Sequence, residues 1–247
     1  MPLAPENDMR ICILGSSHTA SLKLGWDMVK GEFPAVDPVF FGSPGASWCH
    51  LRAQNGSLIS THATLTKSIQ FTSGGLHRID PADYDAFLLF GLVLRLPRLR
   101  QGISQAVLQE TMQDVANKGL TLRMATKLRG VTAKRIWIAA NPMKLAVGGG
   151  VEAGSYHAQA ELIAQMQQGF AVSDARFLPQ PAETMGSDMR TLGHFGLGAR
   201  RLRPVRGGTD DTEFRGYAED DQKHTNGDYG RLWLQENLPV IVRGNAG

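Results

Sequence analysis

The chain has 247 residues, 42% hydrophobic and 20% charged, enough to bury the core of one α/β domain and ordinary for a soluble globular protein. No stretch approaches the roughly 18 to 20 apolar residues of a membrane span, and the polar start from Met1 to Asp8, followed by a run broken at Gly15, falls far short of a signal-peptide core. The net charge is only +3, and the basic clusters Arg95, Arg98, Arg100 and Arg200, Arg201, Arg203, Arg206 read as solvated surface rather than as the stripe of a nucleic-acid binder, with an anionic small substrate as the alternative.

Five continuous apolar runs follow in chain order: Met9 to Leu14, Val36 to Phe41, Ala86 to Phe90, Arg135 to Ala140 and Ala175 to Leu178. Unbroken rather than alternating, they suit strands buried on both faces of a parallel sheet. Helical period appears over Ala20 to Lys30, over Ile103 to Lys118 before Gly119, over Val151 to Gln168 before Gly169, and over Tyr229 to Asn237. The alternation predicts an α/β fold: a three-layer α/β/α sandwich, one domain over 1–247, with a five-stranded, mostly parallel, flavodoxin-like sheet.

Three segments depart from that rhythm. His50 to Ser60 carries Asn55-Gly56 between strand-compatible residues, a two-residue hairpin signal, and Ser68 to Thr72 reads as a further short strand. The expected insertion near 50–72 either walls a site or covers a sheet edge. Gly186 to Ala218 has little periodicity, so the span 186–218 reads as a long excursion that could serve as a lid. Gly148-Gly149-Gly150 lacks the lysine and hydroxyl residue of a phosphate loop and reads as a strand-to-helix connection, which leaves a nucleotide-binding function with little support.

In open parallel sheets ligands bind beyond the carboxyl ends of the strands, so the residues just past each predicted strand carry the chemistry. They are Gly15-Ser16-Ser17-His18, Gly42-Ser43-Pro44-Gly45, Gly91, Asn141-Pro142 and Gln180-Pro181, joined by Asp221-Gln222-Lys223-His224 from the last loop. Ser17 follows a strand broken by glycine and opens a helix, where it could be a plain N-cap or a nucleophile at the positive end of the helix dipole. An acid three residues before a histidine can hold one ring nitrogen and leave the other to take a serine proton. Nucleophile, base and orienting acid are the parts acyl transfer needs.

Other groupings offer less. Cys49-His50 lies in an extended segment where adjacent side chains diverge, and Cys12 sits inside an apolar run, so neither a thiol nucleophile nor a disulfide is expected and a reducing cytoplasm fits. The seven histidines have no metal-ligand spacing, so neither metal nor cofactor is expected. Of the four tryptophans, Trp48 stands beside a site loop and could serve as a sugar or acyl platform.

Gly15-Ser16-Ser17-His18 resembles the first block of the SGNH, or GDSL-type, serine hydrolases, with Ser16 in place of the usual aspartate. Asp221-Gln222-Lys223-His224 with Asn226, Tyr229 and Gly230 resembles the last block, so the likeness spans nearly the whole chain. It implies Ser17 as nucleophile, His224 as base and then acid, Asp221 as orienting acid, and the N–H groups of Ser17 and Gly45, with Gly42 a close competitor, as oxyanion donors. Where the family's third block has glycine, a spacer and asparagine, this chain has Gly91-Leu92-Val93. Asn141 and Arg95 are the candidate replacements for that side-chain donor, and the sequence prefers neither. The implied activity is that of a carboxylesterase or acetylesterase on a small acyl ester such as an O-acetylated carbohydrate, without cofactor, nucleic acid or membrane partner. An O-acyltransferase and a non-catalytic binding member of the same fold are the alternatives.

Overall fold

A computed structural model describes residues 8–146, 154–201, 216–218 and 220–245. In chain order they form β1 (Met9–Gly15), α1 (Thr19–Val29), β2 (Val36–Gly42), β3 (Arg52–Gln54), β4 (Ser57–Ile59), α2 (Ala63–Thr72) and β5 (Ala86–Phe90). There follow α3 (Gln105–Lys118), α4 (Leu120–Arg129), β6 (Arg135–Ala139), α5 (Gln159–Gln167), β7 (Ala175–Leu178) and α6 (Gly227–Asn245).

All five predicted strands pair in parallel in the order β2-β1-β5-β6-β7, the flavodoxin-like arrangement expected from the sequence. Successive side chains point to opposite faces, so each strand feeds two cores. Cys12, Leu14, Phe87, Leu89, Ile136 and Ile138 pack with residues of α2, α3, α4 and α5. Ile11, Ile13, Leu88, Phe90 and Trp137 pack on the other face with Leu22 of α1 and Trp233, Leu234 and Leu238 of α6. The parallel register aligns Gly15 with Gly42 and Phe90, and Phe90 with Ala139. The loops after β1, β2, β5 and β6 therefore emerge side by side at one edge of the sheet.

Several expectations need correction. Ser68 to Thr72 is not a strand but the last half of α2, where Leu65 and Ile69, one turn apart, are buried. The Asn55-Gly56 hairpin does form, as β3 and β4, with both turn residues at positive φ (50° and 78°). Of the helix expected over Val151 to Gln168, residues 151–153 lie outside the described residues. The following residues are extended instead, because Gln101 N–H donates to Ser155 O and His157 N–H donates to Leu99 O, and α5 starts only at Gln159. After Gly119 a further helix, α4, buries Leu120, Met124 and Leu128 at a spacing of four.

At the carboxyl terminus α6 runs past Asn237 through Pro239. An interior proline costs about 3 kcal/mol. Burial of Leu238 and Ile241 on either side of it offsets that cost. The triple glycine and residues 202–215 of the proposed lid lie outside the described residues. Among the described residues no helix is long and apolar enough to cross a membrane. Cys12 and Cys49 are both free, and burial pushes the Cys12 thiol up, which keeps it protonated.

Candidate active site

From Ile11 to Leu22 every residue is buried except Ser17. Gly15 makes this possible: a Cβ there would come within 2.4 Å of Phe90 O, so only glycine lets β1 end against β5 and turn. The turn is held from three sides. Ser16 Oγ donates to Gly91 O (2.6 Å), the Trp48 indole donates to Gly15 O (3.0 Å), and Thr19 Oγ1 donates to Ser16 O (2.8 Å). Ser16, standing where the resembled family has aspartate, thus ties the end of β1 to the turn after β5. His18 occupies the N-cap of α1 without a side-chain cap, and the hydroxyl of Ser17 is left for another partner.

That partner is His224. Ser17 Oγ lies 2.8 Å from His224 Nε2, and His224 Nδ1 lies 3.0 Å from Asp221 Oδ2. Asp221 also accepts the backbone N–H groups of Lys223 (2.7 Å) and His224 (2.8 Å), so the acid, its loop and the ring form one rigid turn. Burial alone pushes the Asp221 carboxyl up, but the bonds from the His224 ring and the two N–H groups outweigh it and hold the group below its ordinary value. An ionised carboxylate only accepts, so Nδ1 carries the ring proton and Nε2 offers its lone pair to the serine hydroxyl. The turn is anchored to the segment after β6 by Leu145 N–H donating to Gln222 O, and to α6 by Asn226, whose Oδ1 caps Tyr229 N–H.

Three further groups around His224 escaped the sequence reading. Tyr217 lies flat on the imidazole, with ring centroids 3.6 Å apart and planes 5° apart, and Arg201 sits over the Tyr217 ring at 4.7 Å. On the same imidazole, at 5.1 Å, is the ring of His18. His18 is buried and its Nδ1 has no partner among the described residues. Burial, with help from the nearby His224 and Arg95, lowers its pKa to about 3, so it is neutral at any ordinary pH. Its position directly after Ser17 was the only available signal.

The serine opens into a cavity of about 620 Å³ at the carboxyl end of β1 and β2. That size falls within the range of small-molecule sites. Ser16, Ser17, the segment Gly42 to Gly45, Tyr217 and His224 line it together with one face of α2. The insertion after β2 therefore does wall the site, through this helix and not through the β3–β4 hairpin. Gly45 and Gly42 can now be told apart. Gly42 N–H already donates to Thr72 Oγ1 (2.8 Å), whereas the N–H groups of Ser17 and Gly45 have no acceptor among the described residues.

The remaining expected residues are not brought to the cavity. Trp48 is fully buried and its indole is spent on Gly15 O, so it is a brace under the Ser17 turn and not a sugar or acyl platform. Asn141 is buried, with its N–H on Leu94 O and its Oδ1 without a partner, and it does not line the cavity. Arg95 is exposed and also absent from the lining. At the expected asparagine position, Val93 holds φ of 60°, a left-handed conformation that costs a β-branched residue on the order of 1 kcal/mol or more. Its methyl faces Gly45, where a Cβ would meet it at 2.6 Å. Among the described residues no group of three or more histidine, cysteine or acidic side chains is placed to hold a metal.

No protein-family model matches the chain, and no curated protein sequence is similar to it. Among solved structures, the periplasmic domain of a lipopolysaccharide acetyltransferase from Salmonella ser. Paratyphi A is 11% identical, with 96% of this chain and 85% of that one covered and a TM-score of 0.48. A carbohydrate acetylesterase family member from Sinorhizobium meliloti is 12% identical, with 97% and 100% covered and a TM-score of 0.42. At that identity and overlap, the site is read from its own atoms.

Proposed function

We propose that the chain is a serine-dependent acyl-ester hydrolase of the SGNH kind, with Ser17 as nucleophile, His224 as general base and acid, and Asp221 as the group that orients His224. The observation that carries this reading is the unbroken line from Ser17 Oγ to His224 Nε2 (2.8 Å) and from His224 Nδ1 to Asp221 (3.0 Å), at the one exposed residue of a buried run. Ser17 Oγ attacks the ester carbonyl as its proton passes to His224 Nε2. The oxyanion rests on the N–H groups of Ser17 and Gly45, near the positive end of α1. Collapse expels the alcohol, which takes the proton from His224 and leaves an acyl group on Ser17. Water, deprotonated by the same nitrogen, then releases the acid and restores the serine. If a second alcohol takes the place of water the same residues perform acyl transfer, and a small O-acyl group on a carbohydrate is the substrate the sequence resemblance suggests.

Val93 favours a second reading, a ligand-binding member of the fold without turnover. A missing oxyanion donor costs on the order of 100- to 1000-fold in rate. A fluorophosphonate probe with intact-mass detection separates the two. The expected result is a single adduct on the wild type and none on Ser17→Ala, with hydrolysis of a short-chain aryl ester lost in both Ser17→Ala and His224→Ala. An unlabelled wild type, or equal labelling of Ser17→Ala, overturns the hydrolase.

A further inference from the structure

The acyl reaction accounts for Ser17, His224, Asp221 and two backbone N–H groups, but it leaves the far wall of the cavity unexplained. One face of α2 presents Lys67, Ser68, Phe71 and Thr72 to the cavity, a spacing of one helical turn. Phe71 is a large apolar side chain left 40% exposed there. Across the opening, Arg201 stacks on Tyr217, and both also line the cavity. Each wall thus combines an aromatic ring with a cation.

Among the described residues the charge of the lining is one-sided: no aspartate or glutamate is among those that line the cavity, and neither Lys67 nor Arg201 makes an ion pair. Asp221, the acid behind His224, is committed to that ring and to two N–H groups. Elsewhere on the surface cations such as Arg10, Lys23, Arg78 and Lys118 do pair with neighbouring acids. Two cations that line one concave site, with no acid among its described lining residues, focus a positive field into it and draw in an anion. The aromatic rings beside them offer apolar cover for the body of such a ligand.

We infer, resting on the reading of Ser17 as nucleophile, that the substrate is an anionic ester: an acyl ester whose scaffold carries a carboxylate or phosphate away from the scissile carbonyl, held by Lys67 and Arg201. The aromatic faces of Phe71 and Tyr217 cover the scaffold, and the charge sets which ester is accepted. A neutral ester of the same size reaches Ser17 without that attraction.

The test compares three acetate esters, 4-acetoxybenzoate, 4-acetoxyphenyl phosphate and the neutral 4-acetoxybenzamide, each corrected for its uncatalysed rate. An exposed ion pair gives roughly threefold in affinity, so the two cations together predict a kcat/KM preference of about tenfold for the better anion at low salt. The preference falls to about one in the double variant Lys67→Met, Arg201→Met, and also at about 1 M salt, where the screening length is about 3 Å. The larger of the two anionic preferences tells carboxylate from phosphate. A wild-type ratio near one with Ser17-dependent turnover overturns the anion inference and leaves the hydrolase standing. If no ester is turned over in a Ser17-dependent way, the hydrolase falls, and calorimetric binding of 4-hydroxybenzoate and phenyl phosphate to Ser17→Ala decides the rest. Anion binding lost in the added double variant keeps the cationic site, while binding that is absent or unchanged removes it.

Discussion

At Asp221 a single carboxylate does two jobs, and a conservative change separates them. In Asp221→Asn the side-chain oxygen still accepts from the Lys223 and His224 N–H groups, so the turn persists. The amide nitrogen, however, presents a donor to His224 Nδ1, which moves the ring proton to Nε2 and removes the acceptor for Ser17. The expected outcome is a loss of about 1000- to 10000-fold in kcat with KM little changed, measured on the esters above. This residue was legible in the sequence because an acid three positions before a histidine is a local pattern. Ser17 was legible for the same reason, through the glycine that breaks its strand. Tyr217 and Arg201 were not, since no local spacing shows that Tyr217 stacks on His224 and Arg201 on Tyr217. Trp48 misled for the opposite reason: sequence adjacency to a site loop does not say which way an indole points.

The strands were legible at the scale of elements because burial on both faces leaves an unbroken apolar signature, and their ends fell within a residue of Gly15, Gly42, Phe90, Ala139 and Leu178. The helices were read less well. α2 has only Leu65 and Ile69 buried, too weak a periodicity to beat a strand reading. The packing of α1 on α6 rests on glycines that no periodicity shows. A Cβ on Gly230 would lie 1.8 Å from Ser21 O, and one on Gly25 would lie 2.3 Å from Arg231 N. Both neighbours are backbone and cannot rotate away, so the two helices must separate. Gly230→Ala should therefore cost about 3 kcal/mol by urea unfolding, the upper end of ordinary overpacking. Because α6 begins just after the Asp221–His224 turn, the proposed esterase activity should fall with it. Gly31→Ala, where a Cβ meets nothing within 4 Å, is the control and should change stability by less than about 0.5 kcal/mol.

Across the whole molecule, the cost of building this site appears in the pH dependence of stability. Folding places His18 between the turn at Gly91 and the imidazole of His224, where its pKa drops to about 3. The unfolded chain takes up that proton near pH 6.5, so from there down to about pH 3 the unfolded state binds more protons than the native one. Stability is therefore full above the unfolded value and is lost as the pH falls. Asp221, whose native pKa is lowered, acts in a separate window: its contribution persists above the ordinary carboxylate range and disappears only in stronger acid. The interval from pH 7 to pH 5 thus separates the His18 contribution from that of Asp221. Linkage for a group that stays neutral when folded predicts a loss of about 2 kcal/mol across that interval. In His18→Phe, which keeps a ring but cannot titrate, this share of the pH dependence should vanish, whatever constant change the new ring brings. Urea midpoints at pH 7 and pH 5 for the two proteins measure it, and equal pH slopes would show that His18 titrates as freely in the folded chain as in the unfolded one.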